Sequence, residues 1–198
     1  ELNARVAIVT GAGRNIGRAI AVALAEGGAA VVVNARSNRA QIESVASEVE
    51  QRGGRALAFL ADVTDAAAVQ RMVAAALDRF GRLDILVNNA ALRREAPIDQ
   101  MAPEEWREVM ATILDGAFNC VKACAPHLRR SGTGTIVNIG GLTAHIGARN
   151  RAHVVAAKAG LAGLTRALAH DFAPDNITVN CVSPGLIETA RGLRIEAG

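Results

Sequence analysis

The sequence contains no tyrosine, one tryptophan and four phenylalanines, so aromatics make up 3% of its 198 residues. No phenolic oxygen therefore exists in it for proton transfer. Its three cysteines, an odd number without a CxxC pair, exclude a disulfide scaffold and fit a reducing cytoplasm. Long apolar runs are missing too. The longest unbroken one, Ala19 to Ala25, is far too short to span a bilayer, so no membrane role is expected. Neither charge dominates: 22 basic against 19 acidic residues leave +3, with the basic ones scattered along the chain. Without a basic block or an aromatic–basic face, nucleic acid is not expected as a partner. The charged opening, with Glu1 and Arg5 ahead of an apolar strand, does not read as a signal peptide. Apolar residues are plentiful. At 51% hydrophobic and 21% charged, the chain is not disordered and can bury one domain-sized core.

Strand-length apolar runs alternate with longer stretches of helical period, the signature of a parallel sheet with crossover helices. The predicted strands are Val6–Thr10, Ala30–Asn34, Ala56–Leu60, Leu83–Asn88, Thr135–Ile139 and Ile177–Val182. Several are near-continuous Val/Ile/Leu, as strands buried on both faces should be. The predicted helices are Ile16–Glu26, Arg39–Arg52, Ala66–Phe80, Glu104–Leu128 (one helix or two) and Val154–Phe172. Gly27-Gly28 and Gly53-Gly54 follow helices where left-handed caps are wanted, and Asp65 is placed to cap the third helix. No repeat or linker interrupts the pattern. A single domain over residues 1–198 is expected, an α/β doubly wound parallel sheet of about six strands with helices on both faces.

The first strand runs into Thr10-Gly11-Ala12-Gly13-Arg14-Asn15-Ile16-Gly17 and then a helix. Glycines there let the backbone approach a pyrophosphate, while the helix N-terminus offers free N–H groups to its charge. The strand–turn–helix context opening a βαβ unit points to dinucleotide binding and a Rossmann-type fold.

Here the chain resembles the short-chain dehydrogenase/reductase family over essentially its whole length. The family's TGxxxGxG pattern is met by Thr10, Gly11 and Gly17, with Asn15 at the middle glycine. Asparagine tolerates the left-handed conformation better than most residues, so the turn is expected to survive. Asp62-Val63 looks like the family's adenine-contacting pair, and Asn88-Asn89-Ala90-Ala91 resembles its NNAG motif with the last glycine replaced. Pro184-Gly185-Leu186-Ile187-Glu188-Thr189 matches the PGxxxT segment beside the nicotinamide. The cofactor residues this implies are Thr10, Gly11, Arg14, Asn15, Ile16, Gly17, Arg36, Asp62, Val63, Asn89, Ala90, Lys158, Pro184, Gly185, Ile187 and Thr189. After the second strand the chain reads Asn34-Ala35-Arg36-Ser37, without the carboxylate that usually holds the ribose of NAD. Arg36 and Arg14 are placed to bind a 2′-phosphate, so NADP(H) is the expected cofactor and NAD(H) the alternative.

The resemblance also assigns a catalytic tetrad, which this chain keeps only in part. Lys158, in His153-Val154-Val155-Ala156-Ala157-Lys158, stands at the lysine position. The tyrosine position is then Val154, the serine position Gly141 and the asparagine position Ile113. A positioned general acid or base contributes roughly 10²–10⁴ in rate, and neither Val154 nor Gly141 can exchange a proton. His145 and Thr143, in the loop after Gly141, are the substitute candidates beside Lys158: a histidine to titrate and a hydroxyl to hold a substrate oxygen. His153, five residues from Lys158, points about 140° away from it on a helix. Both histidines also read plainly as surface or loop residues.

Cys120, Cys124, Met110 and Trp106 read as packing residues and Asp115 as an exposed helix acid. Arg149-Asn150-Arg151 reads as a solvated loop, with capture of an acidic substrate as the alternative. Only Ala190 to Gly198 follow PGxxxT, where relatives continue with a substrate lid and a further strand. The resemblance implies a small-molecule substrate and a homodimer or homotetramer built on the helices of Glu104–Leu128 and from Val154. Two functions stay open: an NADP(H)-dependent oxidoreductase moving hydride between nicotinamide and a carbonyl or alcohol through a non-standard site, and a non-catalytic cofactor-binding homologue acting as sensor or partner subunit.

Overall fold

Among residues 2–187 and 189, those that the computed structural model describes, six apolar runs become strands: β1 (Val6–Val9), β2 (Ala30–Ala35), β3 (Arg55–Leu60), β4 (Ile85–Asn88), β5 (Thr135–Ile139) and β6 (Thr178–Val182). They form one parallel sheet in the order β3-β2-β1-β4-β5-β6. Successive side chains of a strand point to opposite faces, and both faces of the inner strands β1, β2 and β4 are buried. Val6 and Ile8 of β1 join Val32, Leu86 and Ile136 in one core, while Ala7 and Val9 join Val31, Val33 and Val87 in the other. That double burial is why the strands read as unbroken apolar runs rather than alternating ones.

The helices are α1 (Asn15–Glu26), α2 (Arg39–Gln51), α3 (Ala66–Phe80), α4 (Pro103–Met110), α5 (Gly116–Ser131), α6 (Thr143–Ile146) and α7 (Ala152–Phe172). Ala21, Ile42, Val45 and Val49 of α1 and α2 cover one face of the sheet; Met72, Cys120, Cys124, Leu128 and Phe172 of α3, α5 and α7 cover the other. Asp65 accepts hydrogen bonds from Ala67 N and Ala68 N, which caps α3 as predicted. Gly28 and Gly53 take the left-handed conformation (φ +101° and +82°). Gly27 does not, and instead ends α1 in a right-handed helical conformation.

The sequence reading left one element open and missed another. The stretch predicted as Glu104–Leu128 is broken between α4 and α5 by one π-helical turn, Ala111–Asp115. Gly116 follows it, packed so closely on Val63 that a Cβ there would lie 2.6 Å from Val63 Cγ2. The four-residue α6 went unpredicted, being too short to show any periodicity.

Candidate active site

Segments following all six strands converge on a cleft of about 710 Å³ at the carboxyl end of the sheet. The chain leaves β1 for β2 and β3, then returns to place β4 on the other side of β1, so the loops after β1 and β4 part there. Such a switch point is where open α/β sheets bind ligands.

The glycine loop forms one wall. Gly11 and Asn15 adopt positive φ, +62° and +50°, so asparagine does take the left-handed turn its position demands. Gly17 allows α1 to close on the loop: a Cβ there would stand 2.4 Å from Gly11 O. Gly11, Arg14, Asn15, Ile16 and Gly17 all line the cleft. Thr10 does not; it is buried behind the loop, where its Oγ1 accepts from Asn89 N and Ala90 N, each at 3.0 Å. Asn89 Nδ2 donates to Thr10 O (2.9 Å) and Gly11 O (3.0 Å), which ties the loop to the end of β4. Asn34, a residue the sequence reading gave no role, braces the other side. It is buried, its Oδ1 accepts from Gly11 N at 3.4 Å, and its Nδ2 donates to Ala61 O at 3.0 Å. The first turn of α1 holds no acidic side chain, and Arg14 before it makes no side-chain cap. Its N–H groups are thus free for a diphosphate.

Arg36, Asp62 and Val63 line the far end. Asp62 Oδ1 accepts from Thr64 N (2.9 Å) and Thr64 Oγ1 (2.8 Å). Arg36 pairs with Glu108 of α4 at 3.6 Å, a carboxylate that Arg94 holds at 2.7 Å from the other side. Arg14 forms no ion pair among the described residues. The site thus offers glycine backbone, an uncompensated helix N-terminus and two guanidiniums, which fits a phosphorylated dinucleotide.

At the opposite end Lys158 of α7 lines the cleft and donates from Nζ to Ile139 O. Burial lowers its pKa to about 8. Its neighbours at the other tetrad positions carry no exchangeable proton. Ile113, within the π turn, is sealed in a cluster with Val109, Ala117, Ala157 and Leu161, and the partly buried Val154 packs against that cluster. Gly141 faces space, for the nearest atom to a Cβ there would be Thr143 Oγ1 at 3.9 Å. Thr143, Pro184, Gly185, Ile187 and Thr189 line the cleft as expected, while Glu188 of the same motif lies outside the described residues. Thr112, which the sequence reading overlooked, is delivered to the wall by the π turn.

The two histidines part company: His145 is exposed, as its surface reading had it, whereas His153 is buried. His145 sits on α6 but does not line this cleft: it meets Ser183 Oγ at 3.2 Å and borders a smaller pocket against β6. Its place in a one-turn helix turns it from Thr143, two residues away. His153 is no surface residue, being fully buried with Nε2 3.1 Å from Glu105 Oε1. Cys120 and Cys124 are core residues, and burial pushes the Cys120 thiol up to about 12. Asn180 is exposed on β6.

The mouth carries a second set of charges. Arg93 and Arg151 line the cleft and both pair with Glu95, Arg93 at 3.2 Å. Ala96 N donates to Asn150 O at 2.8 Å, pinning the two loops together. Hydrogen bonding from Arg151, with help from Arg93, holds the Glu95 carboxyl below the usual carboxylate range. Arg149 does not line the cleft.

No helix among the described residues is long and apolar enough to cross a membrane, and none of their side chains cluster as metal ligands. Residues 5–197 match the family model for short chain dehydrogenase. The chain is 41% identical over 181 residues to 3-oxoacyl-(acyl-carrier-protein) reductase FabG of Staphylococcus aureus, an alignment covering 91% of this chain and 74% of that one. It is 40% identical over 188 residues to a 3-oxoacyl-(acyl-carrier-protein) reductase of Synechocystis, covering 95% and 76%. A crystal structure of a dehydrogenase/reductase from Sinorhizobium meliloti superposes with a TM-score of 0.92 at 39% identity, over 96% of this chain and 75% of that one. The family match, the identities and the shared fold show that the chain belongs to the short-chain dehydrogenase family.

Proposed function

We propose that the protein binds NADP(H) and moves hydride between its nicotinamide and a carbonyl or alcohol substrate, using a proton route that involves no phenol. The observation that carries this reading is the charge of the cleft. Arg14, Arg36, Arg93, Arg151 and Lys158 line it, against the single carboxylate of Asp62 among the described residues. Such a wall suits a ligand with several phosphates. Arg36 and Arg14 would hold the 2′-phosphate, with Arg36 exchanging Glu108 for it. The free N–H groups of α1 would hold the diphosphate. When bound, the nicotinamide supplies or accepts the hydride. Lys158 lines the cleft with its pKa lowered by burial to about 8, and would be the group that holds and releases a proton there. Thr143 Oγ1, beside the space at Gly141, would orient the substrate oxygen.

A second reading, cofactor binding without turnover, is favoured by one observation: Ile113 is sealed in its cluster, leaving no amide at the tetrad's asparagine position. Calorimetric titration with NADPH and NADH, followed by NADPH oxidation over a panel of carbonyl compounds, separates the two. NADPH-selective binding with oxidation of any substrate supports the first reading; binding without oxidation supports the second. Absence of NADPH binding removes both.

The three free thiols suit a reducing cytoplasm. A homodimer or homotetramer is proposed on α4 and α5, where Phe118 keeps 52% of its surface exposed and Trp106 36%. A monomer mass by light scattering would overturn this.

A further inference from the structure

Arg151 differs from the other arginines of this molecule. Its side chain keeps 25% of its surface exposed, while every other ion-paired arginine among the described residues keeps 46% or more. It lines the cleft at the start of α7, the helix that carries Lys158. Its only ion-pair partner among the described residues, Glu95, is 53% exposed and does not itself line the cleft. Arg93 lines the same mouth and shares that one carboxylate. Two guanidiniums therefore face the cleft with one solvent-exposed carboxylate between them, and a net positive charge is left over. The first turn of α7, which begins just after Arg151, adds no acid to offset it. The same cleft has apolar lining residues in Leu92, Leu142, Leu186 and Ile187.

Resting on the reading of the cleft as an oxidoreductase site, we infer that its substrate is an oxo acid or hydroxy acid. Its carboxylate would be received by Arg151 and Arg93 in exchange for Glu95, and its apolar body would lie against Leu92, Leu142 and Ile187. Glu95 is the internal stand-in. A pair of cleft-lining guanidiniums that already holds one carboxylate beside the cleft has the charge and the donors for another. A carboxylate on the substrate frees Glu95 to solvent, where an exposed ion costs little. A neutral substrate leaves both arginines as they are and gains nothing from them.

The same two residues could simply tie the mouth loops together, and the two explanations predict different outcomes. Arg151→Gln and Glu95→Gln both break the tie, so a purely structural role moves both variants in one direction. The inferred role moves them in opposite directions. Two measurements test it. In the first, hexanoate, hexanamide and hexyl phosphate are titrated calorimetrically into the protein saturated with NADP, which needs no turnover. Hexanoate is expected to bind at least 10-fold more tightly than hexanamide, to lose that advantage in Arg151→Gln, and to bind several-fold more tightly in Glu95→Gln. In the second, kcat/KM is compared for levulinate and its methyl ester. The acid-to-ester ratio should exceed 10, fall to about 1 in Arg151→Gln and rise in Glu95→Gln.

Equal binding of hexanoate and hexanamide, or losses of like size in both variants, would overturn the inference while leaving the oxidoreductase reading intact. Tighter binding of hexyl phosphate than of hexanoate would replace the carboxylate with a phosphate ester. Carboxylate binding with the expected variant pattern but no oxidation of NADPH would uphold the anion site and overturn the oxidoreductase reading.

Discussion

Lys158 and Ile139 are joined by a hydrogen bond from the ammonium Nζ to the backbone carbonyl, linking α7 to the end of β5 inside the cleft. Burial lowers the lysine from its ordinary 10.5 to about 8. Below pH 8 the lysine is charged in both folded and unfolded chains, and its desolvation weakens the fold in full. Between about 8 and 10.5 the unfolded chain keeps a proton that the folded one has released, so this group's contribution to stability rises with pH. The stability gap between wild type and Lys158→Met should therefore narrow by up to about 3 kcal/mol across that window. Urea denaturation at stepped pH measures it; a constant gap would mean that the ammonium is solvated.

Cofactor selectivity should rest on Arg36, which faces Glu108 at 3.6 Å in an exposed pair worth little by itself. Arg36→Ala should weaken NADPH at least about 10-fold and leave NADH within about 2-fold, since a charge-assisted contact to phosphate is lost. Glu108→Gln should tighten NADPH modestly by freeing the guanidinium. Calorimetric titration of both cofactors reads all of these.

Gly17→Ala should damage the fold and the site together. Its Cβ would fall 2.4 Å from Gly11 O and 2.5 Å from Asn89 Nδ2, and neither backbone nor brace can yield cheaply. A loss of about 1–3 kcal/mol follows from such overpacking, along with cofactor binding weakened more than about 10-fold as the phosphate wall deforms. Gly141→Ala is the control: its nearest neighbour would lie 3.9 Å away, so its melting temperature should stay close to that of wild type.

Gly141→Ser combined with Val154→Tyr should raise carbonyl reduction, and by more than either change alone, because the two hydroxyls act on one oxygen. The serine enters open space. The tyrosine must displace packing against the cluster around Ile113 and Leu161, at a cost of about 1–3 kcal/mol. Rates of NADPH oxidation and melting temperatures, measured side by side, separate chemistry from strain. A folded, NADPH-binding double variant with no gain on any ketone would favour cofactor binding without turnover.

The strands were legible because burial on both faces leaves little but Val, Ile, Leu and Ala in runs such as Ala30–Ala35. Asn15 was legible because few side chains other than asparagine tolerate φ near +50°. The missed features depend on partners far along the chain. Asn34 declares its role only through Ala61 and Gly11, and Arg36 meets Glu108 only once α4 has packed. His145 is turned by a single helical turn toward a serine on the segment after β6, which no local pattern announces. Thr112 reaches the wall through a π turn, where helical arithmetic at 100° per residue no longer says which side chain faces inward.

The brace between Asn89 and the glycine loop also bears on the order in which the molecule forms. Its hydrogen bonds to Thr10 and Gly11 span 78 to 80 residues of chain, and β1 reaches β4 over a similar distance. Contacts of such separation repay their loop-closure entropy only late in folding. The unit from β1 to β3 is local and can assemble first, yet its phosphate loop lacks the brace from Asn89. A nascent chain therefore has no braced phosphate loop until β4 has docked beside β1, and the cofactor becomes a ligand of an assembled sheet rather than a template for building it.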